Sequence, residues 1–170
     1  MADVEIFTPT GVLAGTTTGV PLTNDGPDLT QPLSVDDARW YPLDDSRPVH
    51  QSVASVLPDD ILLIVTPEPD LKVHMVWYSI GLEIGPYKVF GRLGTQPGFD
   101  PDRAIARPGS AFVALSDATI ELNGRDGVSS ASRPYLHVNR YAVERVVSTL
   151  MLAHFFPGAR LVPQEAAAAS

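Results

Sequence analysis

The sequence predicts a mainly β chain made of two small, strongly bent β-barrels in tandem, and three observations predict it. Sixteen prolines and thirteen glycines are spread along 170 residues and cut the chain into apolar segments mostly shorter than a helix needs. Those segments are rich in Val, Ile and aromatic side chains, which suit a pleated surface. The events of the first half then return in the same order in the second, as they do in a duplicated unit.

In chain order, Val4-Glu5-Ile6-Phe7-Thr8 alternates as a half-buried strand, and Thr10-Gly11 turns it into Val12-Leu13-Ala14-Gly15, an opening hairpin. Residues 19–37 are rich in Pro, Gly, Asp and Asn and read as a long loop. Arg39-Trp40-Tyr41-Pro42-Leu43 reads as an aromatic strand, and Val53 to Leu57 and Ile61 to Val65 as two more around the break Pro58-Asp59-Asp60. Thr66-Pro67-Glu68-Pro69-Asp70 is stiff and acidic, the composition of a connector.

The second half opens with the β-prone run from Lys72 to Ile84, turned by Gly85-Pro86 into Tyr87 to Leu93. A loop at 94–109 leads to Ala111 to Leu115 and Ala118 to Leu122, a polar loop at 123–133, then Tyr135 to Val138 and Tyr141 to Val147 around Asn139-Arg140. This places a first barrel at 1–66, a linker at 67–71, a second barrel at 72–148, and an apolar segment with a flexible tail at 149–170.

The halves match at three places in one chain order. Val12 to Gly15 answers Lys88 to Gly91, Trp40 to Asp45 answers Phe112 to Asp117, and Val56, Ile61, Ile64 and Val65 answer Val138, Val143, Val146 and Val147. Strand, tight turn, strand, long loop, strand and a short final pair is also the layout of the Sm-like small barrel, which each half resembles. Through Phe112 to Ile120 and Val138 to Val146, the second half further resembles a bacterial domain family of unassigned function. The Sm-like resemblance implies a fold and a tendency to associate through strand edges. It does not extend to the base-holding residues of Sm-like RNA-binding proteins: no Gly follows Asn139-Arg140, and Asp59-Asp60 stands at the corresponding place in the first half, where it repels phosphate.

The charge pattern points away from nucleic acid. The net charge is −8, and residues 1–70 hold twelve acids and two bases (net −10) against eight acids and ten bases in residues 71–170 (net +2). Such asymmetry suits an acidic, solvated half, or an acidic half that docks on a neighbour's less acidic one. The lack of cysteine excludes disulfides and thiol chemistry and fits a reducing cytoplasm. With no basic, then apolar leader and no run near the ~20 apolar residues of a membrane span, the expected location is cytoplasmic, away from membranes.

No catalytic set, metal site or cofactor fingerprint stands out. His50, His74, His137 and His154 are far apart in sequence. Asp36-Asp37, Asp44-Asp45 and Asp59-Asp60 lack the spacing of a calcium loop and suit turns, where a short acid hydrogen-bonds nearby amides. His137, Asn139 and Arg140 are the best candidates for touching a ligand, because they gather at one late turn. Leu150, Met151, Leu152, Phe155 and Phe156 follow the last expected strand and are the candidates for an interface. The expected function is a non-catalytic structural or interaction module that binds itself or another protein. The alternative is an enzyme or ligand-binding protein with its site between the halves.

Overall fold

Alternating side chains and tight turns produce, in the computed structural model of the protein, thirteen strands among the described residues. These are residues 1–18, 22–23, 26–27, 29–67, 75–95, 97, 111–124, 127–150, 152 and 155–164. The first half holds β1 (Ala2–Phe7), β2 (Gly11–Thr17), the two-residue pair β3 (Leu22–Thr23) and β4 (Gly26–Pro27), β5 (Leu33–Pro42), β6 (Val49–Val56) and β7 (Leu63–Val65). The second holds β8 (Val76–Ile84), β9 (Tyr87–Thr95), β10 (Phe112–Gly124), β11 (Gly127–Asn139), β12 (Arg145–Ser148) and β13 (Arg160–Pro163). A 3-10 turn, Pro58–Asp60, joins β6 to β7 where proline prevents the strand from continuing. Among the described residues no helix is long and apolar enough to cross a membrane.

Apart from β3 and β4, which pair with each other, the strands form one eleven-stranded sheet in the order β13-β12-β8-β9-β10-β11-β7-β1-β2-β5-β6. Within it lie two five-stranded blocks of identical connectivity, β7-β1-β2-β5-β6 and β12-β8-β9-β10-β11. Their registers agree as well. Ile6 sits between Leu13 and Ile64, and Leu82 sits between Val89 and Val146. Leu33 and Ala38 face Val56 and Gln51 across β5 and β6, just as Val113 and Ala118 face Val138 and Arg133 across β10 and β11.

One kink recurs in both blocks. Asp37 and Asp117 have φ of 49° and 47°, in the left-handed region that Asp tolerates better than most residues. Each is followed by a buried alanine, Ala38 or Ala118, and at each the pairing with the previous strand slips by one residue. Two residues thus face one, which bends the strand. The facing residue is Gly15 in the first block and Gly91 in the second; a methyl on Gly15 would come within 2.6 Å of the Asp36 carbonyl oxygen, and one on Gly91 within 3.3 Å of Leu115 Cβ. The match of Trp40 to Asp45 with Phe112 to Asp117 is therefore out of register, because Trp40 lies level with Ile120 and Asp37, not Asp45, is the counterpart of Asp117.

Several expected loops are strands. Residues 33–37 belong to β5, residues 112–122 fall on one bulged strand rather than two, and most of 123–133 extends the β10–β11 hairpin. At 129–133 polar side chains mark an exposed or half-exposed sheet surface rather than a break in pairing. Of the expected linker, residues 68–71 lie outside the described residues, as does most of the loop at 94–109.

The mainly β expectation holds, but the strands continue from one half into the other instead of closing as two separate barrels. β11 pairs antiparallel with β7 through His137–Ile64 and Val138–Leu63. Side chains cross with the backbone: Phe7, Leu62 and Leu63 pack among Leu82, Tyr87, Val89 and Leu136, while Phe112 packs among Val4, Leu33, Ile61 and Ile64. In the segments read as strands, Leu13, Ile61, Ile64, Val89, Phe112, Leu115, Val143 and Val146 are buried, while Trp40 and Leu43 are half-buried.

Candidate interaction surface

His137, Asn139 and Arg140 do come together, at the joint between the halves. Asn139 donates from its backbone to the Leu62 carbonyl (2.9 Å) and from Nδ2 to the Ile61 carbonyl (3.0 Å), while its Oδ1 accepts from the Tyr141 amide (3.2 Å). An amide with both ends engaged is a clamp, and it holds the 3-10 turn of the first half against the last hairpin of the second. Arg140 donates its backbone N–H to the Ala111 carbonyl (2.9 Å) and lays its guanidinium 5.6 Å from the Tyr141 ring centroid.

His137 is 2% exposed and meets the Tyr135 ring edge-to-face at 5.0 Å, and neither ring nitrogen has a hydrogen-bond partner among the described residues. Burial disfavours the charged imidazolium and pushes its pKa down to about 4. Around these residues Arg133 makes a two-pronged ion pair with Glu5 (2.9 and 3.0 Å), which holds the guanidinium pKa up. Tyr87 donates its hydroxyl to the Thr8 carbonyl (2.8 Å) and stacks edge-on against Phe7. The joint is filled by the chain's own groups.

The C-terminal apolar segment turns inward too. Leu152 and Phe156 are 0% and 1% exposed in the core of the second half, and Leu150 and Phe155 pack against that core; Met151 lies outside the described residues. Gly158, with φ of 81°, then swings the chain into β13, which runs parallel to β12. The described residues of the segment pack inward and lead into a strand rather than forming an exposed apolar surface.

The acidic pairs serve the backbone: Asp37 sits at the bulge, Asp44 accepts from the Ser46 amide (3.0 Å) and Asp59-Asp60 lie in the 3-10 turn. His50 hydrogen-bonds to Asp37, and this lowers the Asp37 pKa. A shallow groove over β1, β2 and β5 contains Asp3, Glu5, Asp37, Arg39 and Arg133, of which Glu5, Asp37 and Arg133 are already paired. Among the described residues no group of three or more His, Asp or Glu is placed to hold a metal ion.

The two outer edges of the sheet remain. β13 is four residues long, begins with Arg160 and ends with Pro163, and such short, charged or proline-bearing edges resist pairing. β6 is eight residues long (VHQSVASV), and it contains no Lys, Arg, Asp, Glu or Pro. Val49 and Val53 on it, and Leu57 just beyond, are exposed. Sequence reasoning passed over this stretch, although eight residues without a formal charge between Pro48 and Leu57 are the signal of an unguarded edge. No family model, curated protein or solved structure matches the chain.

Proposed function

We propose that the protein is a non-catalytic interaction module, a duplicated Sm-like small barrel that self-associates or docks in a larger complex through the edge of β6. The observation that carries this reading is the contrast between equivalent strands. Tyr135 on β11 is 7% exposed, whereas its counterpart Val53 on β6 is 54% exposed. A strand that is covered by a neighbour in one block has, among the described residues, none on that side in the other. The equal strand order, the equal registers and the recurrent Gly–Asp-Ala kink support duplication. The acidic first half and the lack of the base-holding residues argue for a protein partner over nucleic acid.

Native mass spectrometry and analytical ultracentrifugation of the wild type and of Val53→Lys test the reading. Association that rises with concentration and is lost in Val53→Lys supports it, because a lysine on an open edge opposes pairing. A chain that stays monomeric at every concentration overturns self-association, and a tightly bound small molecule or metal on that monomer favours the ligand-binding alternative.

A further inference from the structure

We infer that β13 is a removable cap over the β12 edge, and that lifting it lets β6 of a second copy take its place and join the copies head to tail. This inference rests on the reading of β6 as an interaction edge. It starts from the joint inside the chain, where the fourth strand of one block, β11, pairs with the last strand of the other, β7. The same two kinds of strand lie at the ends of the sheet: β6 is the counterpart of β11, and β12 is the counterpart of β7.

A second copy can therefore repeat the joint, provided that the β12 edge is free. It is not, because β13 occupies at β12 the place that β11 occupies at β7. β13 does so weakly. It has four residues with none fully buried, Leu161 only half-buried against the core, it pairs in parallel where β11 pairs antiparallel, and at the ends of its four paired positions Arg160 N–H donates to the Glu144 carbonyl (2.8 Å) and Gln164 N–H to the Ser148 carbonyl (2.9 Å). Short strands with solvated hydrogen bonds open at low free energy.

Transferring the register of the inner joint sets Ser55 opposite Val146 and Val56 opposite Arg145, since His137 faces Ile64 and Val138 faces Leu63. Val53 then falls opposite Ser148 and gains the cover that Tyr135 has. Charge favours this arrangement over pairing of β6 with itself. Two first halves at net −10 repel, whereas head-to-tail contact sets the acidic half of one copy against the +2 half of the next, with Arg145 on the β12 edge itself. A head-to-tail contact extends into a ring or a filament, so the cap sets whether assembly stops.

The test uses the full chain. The amides of Arg160 and Gln164 both point to β12, so the two-residue period of a strand aims that of Val162 the same way, and Val162→Pro removes it. Light scattering after size exclusion should show dimers and larger species in Val162→Pro, beyond those of the wild type and rising with concentration. Adding Val53→Lys should return the mass to that of the monomer. In the wild type, amide hydrogen exchange should be faster at 160–163 than at 145–148. A folded Val162→Pro chain with wild-type mass overturns the cap, as does loss of the fold in Val162→Pro or equal protection of β13 and β12. Larger species that persist with Val53→Lys leave the cap standing but overturn β6 as the occupant and, with it, the proposed interaction edge.

Discussion

β6 and β11 hold the same place in the strand order of their two blocks, and the difference between them teaches what a neighbour does to a sheet edge. Both follow a bulged third strand and both lead through a short turn into the last strand of their block. β11 has β7 beside it, and its positions 135–138 are all buried. β6 has no neighbour on that side among the described residues, and only Val56 on it is buried. Side-chain size differs in step with the environment: Tyr135, Leu136 and His137 stand at the register positions of Val53, Ala54 and Ser55, so the covered strand carries the larger side chains.

The sharpest way to break this comparison is to truncate equivalent residues. Tyr135→Ala should destabilise the chain by about 4 kcal/mol in urea unfolding, as large aromatic truncations in cores do, and Val53→Ala by less than about 0.5 kcal/mol. Similar losses at both sites would mean that β6 is covered in solution.

The next effect comes from pH. An unfolded histidine titrates near 6.5, whereas His137 in the folded protein titrates at about 4. Between these values the unfolded chain binds a proton that the folded chain does not. The contribution of His137 is thus fully present above pH 6.5 and is lost as the pH falls towards 4, to a total of roughly 3 kcal/mol. Replacement by Phe should flatten that part of the stability curve relative to the wild type, whereas Ser55→Ala, at the counterpart position on β6, should leave the curve unchanged.

The smallest effect separates the two bulges. Gly15→Ala pushes a methyl into a backbone oxygen and should cost about 2 kcal/mol, whereas Gly91→Ala meets a side-chain carbon at 3.3 Å and should cost less than about 1 kcal/mol. Thermal melts that rank them in the reverse order would show that the tighter approach is at Gly91 and not at Gly15.

Much of this fold is legible in the sequence, for reasons that are local. Alternation at Val4 to Phe7 and the Gly85-Pro86 turn act over a few residues, and both hairpins form where the sequence marks them. The late match is also sound, since Ile61 and Val143, and Ile64 and Val146, are buried at equivalent places. The middle match failed because Asp37 and Asp45 both adopt positive φ, so residue chemistry alone does not reveal which one kinks the third strand. Only strand register distinguishes them, and register is a long-range property. Val35-Asp36-Asp37-Ala38 beside Leu115-Ser116-Asp117-Ala118 was the available signal. At the candidate site, the meeting of His137, Asn139 and Arg140 could be read from their spacing. That His137 and Asn139 meet the other half could not, because Ile61, Leu62 and Ile64 are more than seventy residues away in the chain.

The exchange of Phe7 and Phe112 between the two cores has a consequence for synthesis. As the chain leaves the ribosome, the first half emerges complete in sequence but with an unfilled core, since Phe112 has yet to be made and β11 is still missing from beside β7. Meanwhile β1 and β7 show apolar side chains meant for residues 82–136. A nascent first half is therefore a sticky intermediate rather than a finished domain. The mature chain should melt in a single transition, because neither half retains a closed core once the other lets go.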